Sequence, residues 1–338
     1  MELVFLPDIN FYKFNKRSRE LKKFQKFLIK LNKLFPKSNF VTNLECVLLK
    51  KSLFSNSKKY KKFHAKSYFA NFLRKHNIKN ICLANNHSFD FGLNGLIQTK
   101  KQLIENKIKY FGAGKNLKEA KKPLIIKSKD KKLAIFGMSY KPESKNKTSG
   151  VFSLKKKETF DIIKKFREEN KKHFIVIYCH SGLELFEFPL VRDRLIYKKL
   201  IDAGCDIVIG SHPHRLQGIE KYKKKFIFYS IGDLFFNNTS KYDWKNYLTP
   251  PAHAFLYKEK LNQNLLFKSL IIKIDIIYKK ISVYKVKRSP NFNYSINKIS
   301  NTELKKKILN FKKKITNKKI LKSNLLIEQK IFHGSNLQ

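Results

Sequence analysis

The stretch GSHPHRLQGIE, residues 210–220, places His212 and His214 on either side of Pro213. Proline fixes its own φ and pushes the residue before it out of the helical region, so an extended segment is expected. Residues two apart in an extended segment project from the same face. Two imidazoles aimed together from a loop are half of a metal site, although two surface histidines would read the same way. Other residues tip the balance. Asp8 and Glu45 each stand just past an apolar run; Asn86, His87 and Asp90 crowd into the polar turn NNHSFDFG (85–92); His180 follows HFIVIYC (173–179). Singly, each also reads as a turn or capping residue. Together they offer O and N donors without a thiolate, a set that suits Mn²⁺, Fe²⁺ or Zn²⁺ in a reactive site better than structural zinc.

Such a set works only if the chain carries it to one place. Short apolar runs end where these residues stand: ELVFLP (2–7), residues 39–42, KNICLA (79–84), HFIVIYC and CDIVIG (205–210), with KFIFYSIGDLFF (225–236) read as strand, Gly-Asp turn and a second apolar piece. These read as strands. Helical spacing marks 18–35 (Leu21, Phe24, Leu28, Leu31, Phe35), 66–76, 155–170, 189–203 before Gly204, and 94–105 with Leu96, Ile97, Lys100, Leu103 and Ile104 inward. Further strands are expected at 109–112, 123–128 and 132–139, loops at 50–66 and 141–150, and a hairpin over 264–287 turning near Lys279-Lys280. Residues 301–322 set Leu304, Ile308, Phe311 and Ile315 among Lys305–Lys307 and Lys312–Lys314. That is a basic amphipathic helix, either docked on the fold or in peripheral contact with an anionic membrane surface. Strands alternating with helices, with ligand-type residues at strand ends, is the α/β arrangement that puts active sites at the carboxyl edge of a sheet.

A chain of 338 residues can build one large core or two domains, and its 42% apolar content suits a globular protein. No apolar run is long enough to cross a bilayer, and MELVFLPDIN lacks the basic start and apolar middle of a secretory signal. A cytoplasmic location, at most peripheral to the inner membrane face, is expected. Cys46, Cys82, Cys179 and Cys205 are scattered through apolar runs with no C-x-x-C pair, so neither a disulfide framework nor a zinc knuckle is expected. The net charge of +49 must draw polyanions at low salt. Lysine is spread along the whole chain, which points more to compositional drift than to a purpose-built surface. With no helix-turn-helix, zinc finger or aromatic RNA-binding motif, sequence-specific nucleic-acid binding is not expected.

The order of NLE (43–45), ANNHSFDFG (84–92), YFGAG (110–114), HSGLE (180–184), DAGCDIVIGSHPHRLQGIE (202–220) and YSIGDLFF (229–236) resembles the CapA family. That is the capsule-synthesis and poly-gamma-glutamate-associated branch of the calcineurin-like metallophosphatase superfamily, and the resemblance covers residues 1–240. It implies an α/β fold, a four-layer αββα sandwich with mixed sheets, over residues 1–290, followed by a basic, partly helical extension over 291–338. By position it implies that Asp8, Glu45, Asn86, His180, His212 and His214 hold one or two divalent ions. One would see Glu45, Asn86, His180 and His212, the other Asp8, Glu45 and His214, with Glu45 shared. His87, held by Asp90, would face the substrate and stabilise or protonate the leaving oxygen; Asn10, Glu184 and Arg215 are further residues expected at the substrate. Three positions depart from the family pattern: Pro7 replaces a glycine, Asn10 a frequent histidine and Ser181 a tryptophan. The first two weaken the Asp8 position. The implied function is a metal-dependent phosphoesterase-like hydrolase of capsule or surface-polymer synthesis, using metal-activated water on a phosphorylated or anionic substrate, a polymer included. The alternative is a non-hydrolytic, polyanion-binding component of polymer synthesis or export.

Overall fold

Along HFIVIYC the side chains alternate between two different cores, and that alternation fixes the layering. In a computed structural model, which describes residues 2–50, 62–236, 267–318, 320–322 and 325, Phe174, Val176 and Tyr178 face one buried cluster while Ile175, Ile177 and Cys179 face another. A strand buried on both faces lies between two layers.

The first sheet has parallel strands β1 (Glu2–Phe5), β3 (Ser38–Asn43), β6 (Ile78–Cys82) and β7 (Lys109–Phe111). Antiparallel β17 (Lys268–Asp275), β18 (Lys280–Arg288) and β19 (Tyr294–Lys298) extend it in the order β19-β18-β17-β1-β3-β6-β7. The second sheet runs β14 (Ile219–Tyr222), β15 (Lys225–Phe228), β13 (Ile207–Ser211), β12 (Phe174–His180), β10 (Lys131–Ser139) and β9 (Leu124–Ser128), parallel from β15 to β10 and antiparallel at both edges. The sheets meet where Phe5 packs edge-on against Tyr178 (6.1 Å) and the Tyr178 hydroxyl donates to the Leu6 carbonyl (2.9 Å). Three short pairs close the loops around them: β2 (Asp8–Ile9) with β16 (Asp233–Phe235), β4 (Val47–Leu49) with β5 (His64–Lys66), and β8 (Ala113–Gly114) with β11 (Gly150–Val151).

Helices form the outer layers. α1 (Arg19–Leu34) and α2 (Tyr68–Lys75) bury Phe24, Phe27, Leu28, Phe69 and Leu73 in the core of the first sheet. α3 (Gly92–Glu105) joins the same core, and the single turn α4 (Leu117–Ala120) follows β8. α5 (Lys157–Glu169) and α6 (Val191–Asp202) cover the second sheet through Ile163, Tyr197, Leu200 and Ile201. The four-layer αββα sandwich with mixed sheets is therefore the architecture observed.

Two expectations need correction. Ile97 and Ile104, read as inward, are 51% and 60% exposed. The inner face of α3 is instead built from Gly95, Leu96, Thr99, Gln102 and Leu103. Thr99 faces inward because its hydroxyl accepts the Leu48 N–H of β4 (3.0 Å), a partner that apolar periodicity cannot reveal. Residues 64–66, read as loop, pair with β4 as β5, because Val47, Leu48 and Leu49 supply a ladder for them. Most of the loop expected at 50–66, the start of the hairpin before 267 and most of the chain after 322 lie outside the described residues.

The described residues just after 290 pack on the two sheets. β19 adds to β18, and α7 (Asn301–Ile315) buries Phe311 and Ile315 against the second sheet's outer core. Docking depends on Gly218, where a Cβ would lie 1.9 Å from a Phe311 ring carbon. Gly218→Ala is expected to cost about 1–3 kcal/mol by overpacking. Phe311→Ala should cost about 3–5 kcal/mol by leaving a cavity. Urea unfolding of both variants checks this, and wild-type midpoints would mean that the helix does not dock. The amphipathic pattern is thus explained by packing on the fold, with Lys305, Lys306, Lys312 and Lys313 left exposed.

Candidate metal centre

The carboxyl ends of the central strands from both sheets converge on one cleft. Asp8 sits in β2, directly across the ladder from Asp233 in β16. Thr42 anchors the entry to β2 by donating its hydroxyl to the Pro7 carbonyl (2.7 Å). Glu45 follows β3; its N–H donates to the Ile9 carbonyl (2.9 Å) and its carbonyl accepts the Asn10 amide (2.8 Å). The turn after β6 is shaped by Asn85, whose amide donates to Asn43 Oδ1 and the Leu44 carbonyl (both 2.9 Å) while its oxygen accepts the His87 N–H (3.0 Å). Side-chain oxygens that capture a backbone N–H two residues on make such turns rigid.

His180 ends β12, and its neighbours define the centre. Its Nε2 lies 2.9 Å from Asn86 Oδ1, 3.1 Å from His212 Nδ1 and 3.4 Å from Glu45 Oε1. Donors about 2.1 Å from one ion stand about 3.0–3.4 Å apart at octahedral and tetrahedral angles. The spacing is therefore that of ligands around a shared cation. His214 Nε2 approaches the same Glu45 oxygen (3.7 Å), while its Nδ1 is held by Asp233 Oδ1 (3.0 Å). Three groups each bring their ligand atoms within 4.8 Å of one another: Glu45, His180 and His212; Glu184, His212 and His214; Asp8, His214 and Asp233.

The charges fit a cation as well as the distances do. Glu45 is fully buried, yet neither carboxylate oxygen has a hydrogen-bond partner. A buried carboxylate without hydrogen bonds is costly, and a metal ion is one of the few groups that compensates it. Burial drives the Glu45 carboxyl well above its ordinary range, with nearby Asp8 and Asp233 adding to the rise against His214. Burial and Asp233 bring Asp8 up to about 7. Burial and the other imidazoles hold His180 far down and His212 at about 3, so both are in the neutral form that binds metal. Burial also opposes a charge on His214, but Asp233 and Glu45 overcome it and raise that group.

The two histidines do not get there by an extended segment. His212 and His214 have φ of +94° and +55°, a region that non-glycine residues seldom adopt. The His212 N–H donates to Asp8 Oδ2 (3.1 Å) and the Pro213 carbonyl accepts the Leu185 N–H (2.8 Å), so tertiary bonds hold the turn. Gly182, at φ +121°, lets Pro213 close: a Cβ there would meet the proline ring at 2.9 Å.

The remaining residues divide. His87 lies at the rim with Nε2 3.9 Å from Glu45 Oε1; its Nδ1 is 2.8 Å from Asp90 Oδ2, and its ring packs on Phe63 (4.2 Å). Glu184 reaches the His212 and His214 side of the cluster. Asn10 and Arg215, expected at the substrate, are engaged elsewhere. Asn10 is buried, its amide on Glu45 and its oxygen on the Tyr12 N–H (2.7 Å), so it shapes the loop. Arg215 donates to the Leu185 carbonyl and pairs with Glu187 (both 3.2 Å), and Glu187 in turn meets Lys314 of α7 (3.7 Å). Sequence reasoning passed over Asp233 and Asn43. Asp233 stands just past a strand, the signal that singled out Asp8. Asn43 donates to Asp8 Oδ1 (3.1 Å) and lies 3.1 Å from His180 Nδ1. All four cysteines are free and buried, and Cys179 faces away from the cleft into the outer core.

The chain is similar to known proteins. The family model of the bacterial capsule synthesis protein PGA_cap matches residues 3–238. The capsule biosynthesis protein CapA of Bacillus anthracis is 32% identical over 161 residues, covering 46% of this chain and 39% of its own. The PGA biosynthesis protein CapA of Bacillus subtilis is 32% identical over 163 residues, covering 46% and 41%. The match thus spans about two fifths of these relatives. A solved structure described as a novel phosphatase from Mycoplasma pneumoniae covers 92% of this chain and 98% of its own at 13% identity, with a TM-score of 0.50, a likeness of fold. Among the described residues no helix is long and apolar enough to cross a membrane.

Proposed function

The chain belongs to the bacterial capsule synthesis family PGA_cap, and from that premise we propose that it is a metal-dependent phosphoesterase-like hydrolase acting on an anionic substrate of surface-polymer synthesis. The observation that carries this reading is the buried, hydrogen-bond-free carboxylate of Glu45 at the meeting point of His180, His212 and His214. Asn86 and His180 with Glu45 and His212 form one candidate ligand set; Asp8 and His214 with Glu45 form the other. One or two divalent ions, Mn²⁺, Fe²⁺ or Zn²⁺ by the donor types, would polarise a phosphoryl oxygen and lower the pKa of a water molecule.

The chain's own groups have separate tasks. Asp233 fixes the ring of His214 through Nδ1 and leaves Nε2 toward Glu45, the carboxylate–histidine pairing common around metal ligands. Asp90 and Phe63 do the same for His87, so that only Nε2 faces the cleft, where it can hold or donate a proton to a leaving oxygen. Glu184, beside His212 and His214, faces the incoming substrate.

Elemental analysis of the purified protein, coupled to a phosphoester panel with added Mn²⁺, tests the reading. Absence of bound metal, with hydrolysis unchanged in His180→Ala, would remove it. Asp233→Asn is expected to lower metal affinity about 10–100-fold while leaving the ligands in place. Isothermal titration with Mn²⁺ measures that loss, and equal affinity would make Asp233 a spectator. The non-hydrolytic alternative, a polyanion-binding component, draws on the net charge of +49. It predicts salt-sensitive polymer binding that survives the loss of His212 and His214.

A further inference from the structure

The loop between β12 and α6 carries Glu184 to the cleft, where its carboxylate comes within 4.8 Å of donor atoms on His212 and His214. The next residue, Leu185, is buried and has a φ of +62°, in the left-handed region that a leucine seldom adopts. Both of its backbone groups are bound from the segment that carries the two histidines. Its N–H donates to the Pro213 carbonyl (2.8 Å), and its carbonyl accepts Arg215 Nη1 (3.2 Å). Two further bonds follow in step along the loop. The Phe186 carbonyl accepts Gln217 Nε2 (3.0 Å), and Glu187 Oε2 accepts Arg215 Nη2 (3.2 Å). Residues 185, 186 and 187 are thus gripped in turn by two side chains, both buried.

A weaker contact ties the same loop to α7. Lys314 Nζ lies 3.7 Å from Glu187 Oε1 and over the Phe188 ring at 5.8 Å. α7 lies outside the stretch that carries the family likeness. The Lys314–Glu187 pair is exposed and such pairs contribute little, so Arg215 and Gln217 are the main anchors.

We propose that Arg215, seconded by Gln217, is a positioning residue that keeps the Glu184 carboxylate at the metal centre, where its charge adds to the hold on a divalent cation. The role of Glu184 rests on the metal-centre reading given above; the grip on the loop does not. A planar guanidinium suits the task, because it reaches a backbone carbonyl and a carboxylate at once in a fixed geometry. Without it, Leu185 loses a bond that holds its backbone at positive φ. Relaxation there turns the carboxylate one residue earlier away from the two imidazoles.

The test is a cycle of full-length variants: Arg215→Met, Glu184→Gln and the two combined. Gln217→Leu, alone and with Glu184→Gln, loosens the same loop by a second route and carries the comparison if Arg215→Met does not fold. Isothermal titration reads the affinity for Mn²⁺. Hydrogen–deuterium exchange with chelator present reads the amides of residues 183–188. Glu184→Gln and Arg215→Met are each expected to weaken Mn²⁺ binding about tenfold. The double variant should be no weaker than either single one, because Arg215 has no charge left to position once Glu184 is neutral. A general loosening of the fold would weaken Mn²⁺ binding in both backgrounds. Losses that multiply in the double variant would therefore overturn the proposal, as would wild-type affinity in Arg215→Met. In the metal-free variants at 215 and 217, exchange over 183–188 should quicken about tenfold or more while β12 stays protected. Unchanged exchange would overturn the grip itself. A wild-type protein that binds no Mn²⁺ would remove the metal-centre reading and the role of Glu184 with it, and the exchange result then decides the grip alone.

Discussion

Glu45→Gln should make the metal-free protein more stable and at the same time abolish its stabilisation by Mn²⁺. Both oxygens of Glu45 are buried without a hydrogen bond, and burial pushes its carboxyl well above the ordinary range. A neutral isostere removes the charge that folding must desolvate, a gain of about 1–3 kcal/mol. The same change removes the carboxylate shared by both candidate ligand sets. Metal-dependent hydrolysis should then fall about a thousandfold or more, since the charge stabilisation at stake is several kcal/mol and each 1.4 is about tenfold. Differential scanning calorimetry with and without Mn²⁺, beside initial rates on a phosphoester, reads both effects. A variant that keeps its Mn²⁺-dependent shift would place the cation elsewhere.

The second large effect is a pH dependence that metal should reverse. A carboxyl raised on folding costs stability as pH climbs from its unfolded to its folded pKa. For Asp8 that window runs from 3.8 to about 7, and for Glu45 it starts at 4.5 and ends well above it. His214, also raised, supplies stability that is complete below 6.5 and lost as pH rises through its folded value. His212, lowered from 6.5 to about 3, and His180, also lowered well below 6.5, work the other way: their contribution is complete above 6.5 and lost as pH falls below it. Below pH 6.5 the two sets offset. Above it, only the destabilising set still titrates, so the metal-free protein should lose stability from pH 6.5 to 8. An excess of one or two bound protons in the native state gives a slope of roughly 1.4–2.8 kcal/mol per pH unit. These groups titrate as one coupled cluster, so a single broad transition is expected. A divalent ion replaces those protons, so its stabilising effect should grow over the same range and vanish on acidification. Urea melts at pH 6, 7 and 8, with chelator and with Mn²⁺, measure both trends. A metal-free stability that rises between pH 6.5 and 8 would contradict the assignment of the buried charges.

Much of this was legible in the chain itself. Asp8, Glu45, Asn86, His180, His212 and His214 were picked out because each stands at or just beyond an apolar run, and the structure brings all six into one cleft. That signal is local: strand length and strand end are set by neighbouring residues along the chain. The layering of β12 and the helical face of α1 follow from equally local periodicities. What lies across a gap was not legible. Asp233 becomes the partner of His214 only because β16 pairs with β2. Arg215 turns to Glu187 and Asn10 to Glu45 because those groups stand opposite them after folding. Proline suggested an extended His-Pro-His, yet the bonds from Asp8 and Leu185 hold both histidines at positive φ. The order of residues along the polypeptide determined which side chains could meet a cation and at which strand ends they would stand. The tertiary structure decided which of them have their donors satisfied by protein and which remain open, because a hydrogen bond between segments distant in the chain depends on sheet register and packing, which no local pattern encodes.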